Sequence, residues 1–302
     1  TGDGYVYALT EDFIYQVDPY TNEISNYATF SQTAISIGIN PINGQVYVGF
    51  GSNGLYIYDS GLVSFDTYAI NSNQMIWNDF EESMYICGSG QVIRINGSTF
   101  TTTTFTTSGV GSSSEIILDY ENESIWVSGS SNVYKIDNGS VDVISISSTS
   151  DLIFNNLSSG VNILNGDLSS IFVDDNSVQW FSSGSGNGYL GINQFDGKIY
   201  VTTNSDIKVF DSLTGLLDST IGTTLTTRLI YNPDRISMWI LRPSSNEIIE
   251  LKSNLGGTFI YDSTPSESST DESFYGSLED GYVDKNYLWI HTKDYIRSPR
   301  EN

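Results

Sequence analysis

A chain of 302 residues with 38% hydrophobic side chains, 20 Tyr, 14 Phe and 5 Trp holds ample material for a packed core, which excludes disorder. Twelve Lys plus Arg against 36 Asp plus Glu leave a formal net charge of −24. A surface this acidic repels phosphate backbones and anionic headgroups, so nucleic acid and membrane surfaces are excluded as partners. No apolar run reaches the roughly 18 residues of a spanning helix, and no direct membrane insertion is expected. The single cysteine, Cys87, cannot build a disulfide framework; within MYIC it reads as a small buried hydrophobe. The chain starts at Thr1 without Met, and the expectation is a part of a longer polypeptide.

Ser, Thr, Asn and Gly predominate over helix formers, which favours short strands and tight turns. In chain order, the first unit is YVYAL, FIYQVD and EISNYATF, without an inner strand ahead of Tyr5. The second is AISIGI, QVYVGF, LYIYD and SFDTYAI; the third QMIWND, SMYICG, QVIRIN and TTTTFTT; the fourth EIILDY, SIWVSG, NVYKID and VDVISI. The fifth reads DLIFN, VNILN, SIFVD and VQWFSS, although 171–184 also resembles 116–129 and offers a rival register. The sixth is YLGIN, KIYVTT, DIKVFD and LLDSTI, and the seventh RLIYN, SMWILR, EIIELK and TFIYD. Residues 263–273, STPSESSTDES, read as an exposed polar loop. GYVDK, YLWIHT and DYIRS close the chain.

Residues 37–59, IGINPINGQVYVGFGSNGLYIYD, are copied at 190–211 as LGINQFDGKIYVTTNSDIKVFD. Tyr7, Tyr47, Tyr85, Trp126, Asn162, Tyr200, Trp239 and Trp289 occupy one column, spaced 40, 38, 41, 36, 38, 39 and 50 residues apart. Asp18, Asp59, Asn96, Asp137, Asp174 and Asp211 form a second column of nearly the same period. Roughly 40 residues is the length of a four-stranded propeller blade. The expected fold is therefore all-β: one β-propeller domain over residues 1–302, built of four-stranded blades. Seven blades are favoured, with residues 281–285 supplying the strand the first unit lacks; eight is the alternative.

The runs KIYVTTNSDIKVFDSLTG and QVYVGFGSNGLYIYDSG resemble the surface-protein propeller repeats named for their Tyr-Val-Thr-Asn signature, which are similar to NHL repeats. Here the signature is Tyr200-Val201-Thr202-Thr203, with Asn204 one place late. EIILDYENESIWVSGSSNVYKID is also similar to propeller repeats of two-component sensor ectodomains. The resemblance implies a propeller used outside the cytoplasm; these families share an architecture rather than a reaction.

Candidate chemistry is sparse. His291 is the one histidine, and a Ser–His–Asp triad would have to use it with no G-x-S-x-G elbow in support. Carboxylates cluster at Asp79/Glu81/Glu82, Asp119/Glu121/Glu123, Asp174/Asp175 and Glu279/Asp280/Asp284. They fall in predicted turns, where acids cap backbone N–H groups, and no D-x-D-x-D-G loop marks a Ca²⁺ site. Ca²⁺ is the one cofactor left open, and no catalytic, cofactor-binding or metal residue is assigned. The repeated Asp column reads as turn capping and the Tyr/Trp column as packing between blades. Asn96, Asn122, Asn138 and Asn156 each begin N-x-S and are candidate N-glycosylation sites.

The expectation is a non-catalytic extracellular or cell-surface assembly propeller contacting protein or glycan, neighbouring copies in an assembly included. A virion tail or receptor-binding component is one alternative. A glycan-active or lyase-type propeller enzyme is the other.

Overall fold

In the computed structural model every strand-forming run becomes an antiparallel strand, and the Gly-, Asn- and Asp-rich segments become the connections. The structure describes residues 5–18, 21, 23–59, 62–68, 72–111, 114–146, 151–155, 160–164, 166–172, 178–186, 188–193, 195–203, 205–222, 228–232, 237–242, 247–252, 258–262, 278–284, 287–292 and 296–297, with side chains over a narrower set. Among them no helix occurs, and so none is long and apolar enough to cross a membrane.

Eight antiparallel sheets follow one another along the chain. The first holds β1 (Val6–Leu9), β2 (Phe13–Val17) and β3 (Ile24–Thr29). The second holds β4 (Ser36–Ile39), β5 (Val46–Gly49), β6 (Leu55–Asp59) and β7 (Leu62–Tyr68). The third is β8 (Gln74–Asn78), β9 (Ser83–Gly88), β10 (Gln91–Asn96) and β11 (Thr102–Thr106). The fourth is β12 (Ile116–Asp119), β13 (Ser124–Ser128), β14 (Asn132–Asp137) and β15 (Ser140–Ser145). The fifth is β16 (Asp151–Asn155), β17 (Gly160–Leu164), β18 (Gly166–Phe172) and β19 (Val178–Gly186). The sixth is β20 (Leu190–Asn193), β21 (Lys198–Thr202), β22 (Asp206–Asp211) and β23 (Leu217–Gly222). The seventh is β24 (Arg228–Asn232), β25 (Ser237–Arg242), β26 (Glu247–Lys252) and β27 (Thr258–Asp262). The eighth is β28 (Leu278–Asp284), β29 (Tyr287–Thr292) and β30 (Ile296–Arg297).

Strands pair only with their sequence neighbours, so every sheet is a meander. Two compact units divide the chain, Thr1–Thr149 and Ser150–Asn302. In the first unit β4 lies against β8 and β8 against β12; in the second β16 lies against β20, β20 against β24 and β24 against β28. First strands of successive sheets thus adjoin, as in propeller blades.

The second strands β5, β9, β13 and β17 are buried on both faces, and so is β21 beyond its first residue. Val46 and Val48 of β5 pack towards the first sheet with Tyr7, Ile14 and Ala28. Tyr47 points the other way, into Met84, Ile86, Ile93 and Ile95 of the third. The second unit repeats this. Ile199 and Val201 pack with Leu164 and Leu168 of the fifth sheet, and Tyr200 with Leu229, Met238, Ile240 and Leu251 of the seventh. Among the described residues the rings of the column, Tyr7, Tyr47, Tyr85, Trp126, Tyr200 and Trp239, are all buried in the core.

The fifth sheet takes the register that puts Asn162 in its second strand; the rival alignment of 171–184 with 116–129 is not adopted. Residues 281–284 pair with 287–290 (Gly281 with Ile290, Tyr282 with Trp289) as the first hairpin of the eighth sheet. Residues 263–273 lie outside the described residues.

Candidate functional site

The connection between first and second strands is built the same way in four sheets. A fully buried Asx residue ends each first strand or directly follows it: Asn40, Asn78, Asp119 or Asn193. Its side-chain oxygen accepts the backbone N–H two residues on, that of Ile42, Phe80, Glu121 or Phe195. This is an Asx turn, in which the side chain does the work of a backbone carbonyl. Four residues after the Asx the backbone is left-handed, at Gly44, Glu82, Glu123 and Gly197.

The turn is fixed locally, and each of the four carries one large apolar side chain that is exposed. Ile42 is 57% exposed, Phe80 44%, Tyr120 61% and Phe195 61%. Phe80 and Tyr120, from the third and fourth sheets, meet edge to face with ring centroids 6.3 Å apart. Within 41–45, 79–82 and 120–123 the charged residues are Asp79, Glu81, Glu82, Glu121 and Glu123, with no lysine or arginine. Partial burial, followed by the charge of Asp79, pushes the Tyr120 phenol above its ordinary range.

Beside this rim lies a polar cleft of about 340 Å³, lined by Glu81, Ser83, Arg94, Asn96, Thr101, Thr103 and Asn138. Glu81 Oε2 accepts from Arg94 Nη1 at 2.6 Å and from the Tyr85 hydroxyl at 2.8 Å. Arg94 Nη2 donates to Thr103 Oγ1 at 3.3 Å. Burial, and then the Glu81 carboxylate, push the Tyr85 phenol well above its ordinary range. Burial works against the Arg94 charge, and the Glu81 and Tyr85 oxygens more than offset it. The ion pair leaves the cleft close to neutral, with hydroxyls and amides around it.

The carboxylates singled out in sequence do not converge on a reaction centre among the described residues. Asp119 is fully buried, and its oxygens accept from the backbone of Glu121 and Asn122 and from Asn122 Nδ2. Glu81 holds Arg94, and Asp79 faces Tyr120. Among the described residues no group of three or more His, Cys, Asp or Glu gathers as a metal site. Asp174 and Asp175 lie outside the described residues, as do the side chains of His291, Glu279, Asp280 and Asp284.

The third-strand column caps turns. Asp18 Oδ1 accepts from Thr21 N, Asn96 Oδ1 from Ser98 N and Thr99 N, and Asp211 Oδ1 from Leu213 N and Thr214 N. The Thr214 backbone and hydroxyl hold the Asp211 carboxyl below the usual range. Asp137 departs from the pattern, accepting from Asn138 Nδ2.

Three of the N-x-S asparagines fall in these turns. Asn96 and Asn138 both line the cleft, and Asn122 stands two residues from Tyr120. Asn156 lies outside the described residues. Cys87 is fully buried, its Sγ 3.7 Å from the Ser114 carbonyl. Sequence reasoning missed the exposed apolar turn residues. The signal was present: N-P-I-N-G, N-D-F-E-E, D-Y-E-N-E and N-Q-F-D-G each carry one large apolar residue between the Asx and the left-handed position.

Meandering four-stranded sheets with adjoining first strands define a β-propeller protein. Solved structures agree. The chain superposes on the dihydro-heme d1 dehydrogenase NirN with a TM-score of 0.74 at 12% identity, covering 95% of this chain and 68% of that one. BamB from Moraxella catarrhalis gives 0.71 at 12% identity, covering 98% and 93%. The extracellular domain of a one-component system protein from B. thetaiotaomicron gives 0.50 at 14% identity, covering 99% and 53%. At these identities the likeness establishes the fold. No protein-family model and no curated protein sequence matches the chain.

Proposed function

We propose that this chain is a non-catalytic contact module of an extracellular surface or assembly protein, of the Tyr-Val-Thr-Asn repeat type, which holds a protein partner on its strand-connecting turns. The observation that carries the reading is the exposed Phe80–Tyr120 ring pair. Rings of the second-strand column such as Tyr47 and Tyr200 are spent on packing between sheets, and the Asp119 carboxylate beside this pair is spent on its turn. Exposed apolar groups gathered into one contiguous patch, rather than scattered singly, are the kind that mark interaction sites. The likeness to an extracellular domain, the acidity and the N-x-S sequences support a place outside the cell. The proposal includes no cofactor.

A photo-crosslinking residue at position 80, in the chain on its native cells, tests this. A discrete protein adduct is expected. Labelling no stronger than from position 98, an exposed turn residue of the same sheet, would overturn the reading.

A second reading, glycan contact, is favoured by the cleft alone. Its paired Arg94 and Glu81, three hydroxyls and two amides suit a neutral, hydroxyl-rich ligand. Saturation-transfer NMR against neutral oligosaccharides, with Arg94→Ala as control, tests it. Turnover of any of those sugars that is lost in Glu81→Gln would instead support an enzyme.

A further inference from the structure

The proposed protein contact leaves the partner's chemistry open, and the composition of the rim narrows it. Ile42 and Phe80, each two residues after the buried Asx, and Tyr120, one residue after it, stand in the turns of the second, third and fourth sheets, whose first strands lie side by side. Phe80 and Tyr120 touch, so at least two of the three form one apolar surface. Around them the turns carry five carboxylates and no cation. Glu81 is neutralised by Arg94; Asp79, Glu82, Glu121 and Glu123 are all exposed.

We infer that the rim at Phe80 and Tyr120 docks a basic segment of another protein, whose apolar side chains seat on the two rings while its Lys and Arg face Asp79, Glu82, Glu121 and Glu123. This rests on the protein-contact reading above. Charge selects the occupant. An acidic or phosphate-bearing partner meets both the local carboxylates and a chain of net charge −24. A second copy of this chain would bring the same carboxylates against themselves, which costs association free energy. Arginine and lysine complement the rim, and arginine also stacks on Tyr and Phe faces. Burial chiefly, and then the Asp79 charge, raise the Tyr120 phenol, in keeping with a carboxylate near the ring.

The test uses the full chain made in a host that adds no N-glycans, so that Asn122 beside the rim is bare. The probes are three fluorescent amphipathic peptides with one leucine pattern and Lys, Glu or Gln at the polar positions. Binding is followed by anisotropy. The Lys peptide is expected to bind, with affinity falling about tenfold in Phe80→Ser/Tyr120→Ser and about tenfold when exposed charge is screened by raising the salt from about 0.02 to about 0.5 M. Asp79→Asn/Glu82→Gln/Glu121→Gln/Glu123→Gln, which leaves the rings intact, is expected to weaken it by a similar factor. Leu213→Ser/Leu216→Ser, at exposed leucines of the sixth sheet, is expected to leave it unchanged.

Lys-peptide binding untouched by the ring substitutions would show attraction to an acidic protein at large and overturn the inference. Equal binding of the Gln or Glu peptide, lost with the rings, would overturn the basic partner and leave protein contact standing. Self-association of the wild type that disappears in the ring variant would assign the surface to a second copy and overturn the inference. No binding by any peptide, together with no adduct from position 80, would remove both readings.

Discussion

Asp151 Oδ2 accepts the backbone N–H of Leu190 at 2.5 Å, joining the first residue of β16 to the first residue of β20. Gln74 Oε1 does the same for the N–H of Ile116 at 3.2 Å, joining β8 to β12. These bonds cross between sheets, where no ladder bond exists. Asp151 is buried, and its other oxygen accepts from Leu152 N. Asp151→Leu therefore strands the Leu190 N–H in the interior, and the expected loss is about 1–3 kcal/mol. Asp151→Asn keeps an acceptor and costs less. Urea unfolding of both variants decides; a leucine variant as stable as wild type would refute the link.

Glu82 and Glu123 hold left-handed backbone, at φ 47° and 57°, where the equivalent turns have Gly44 and Gly197. A side chain there crowds the following carbonyl, and glycine does not. Glu82→Gly and Glu123→Gly are each expected to gain up to about 1 kcal/mol, read as a rise in the midpoint of thermal unfolding. Glu82→Val at the same place is expected to lose stability. A glycine variant that melts lower than wild type would contradict the shared turn.

Burial pushes the Cys87 thiol up to about 12. It is expected to resist a maleimide or a disulfide reagent at pH 8 in the folded chain and to react within minutes in denaturant. The linkage runs one way. A raised folded value means the unfolded chain loses the proton first, so this group's contribution is present at neutral pH. It is lost as the pH climbs above the ordinary thiol range. Fast labelling under native conditions would place Cys87 outside the core.

The Asp211 carboxyl is held below its ordinary range chiefly by the Thr214 backbone and hydroxyl. A depressed folded value adds stability above the ordinary carboxylate range, and that contribution disappears as the pH falls through the folded value. Asp211→Ala should therefore unfold earlier than wild type at pH 7, and the gap should close in strong acid. The group lies near the surface, so the difference is small and best read from parallel melts. A gap that stays constant down to acid would remove the carboxylate from the account.

The repeat was legible because two columns, one of rings and one of Asx residues, keep the same period for separate physical reasons. The rings fill space between sheets, and the Asx residues cap turns. Even the fifth sheet could be placed, although Asn162 stands where other sheets have Tyr or Trp. The structure shows what that replacement does: Asn162 is fully buried, and its amide finds no hydrogen-bond partner among the described residues. The partner of residues 281–284 was not legible, because composition specifies a strand and not what it pairs with. Asp119 falls in a predicted turn, where an acid caps backbone N–H groups, but the sequence does not say which ones. Its consumption by the N–H groups of Glu121 and Asn122 depends on turn geometry. Phe80 and Tyr120 went unnoticed for the opposite reason, as exposure belongs to the surroundings and cannot be read from the residue.

The second strand's two-sided burial also governs how such a chain can change. Val46 and Val48 are fitted to one neighbour and Tyr47 to the other. Each unit therefore carries two different seams, and coupling runs from neighbour to neighbour along the array. A unit copied whole into a new position meets partners shaped for someone else on both sides. Divergence among the repeats, with Tyr, Trp and Asn at the same place, is then what repeated local refitting leaves behind, and exchange of units is the step the architecture resists.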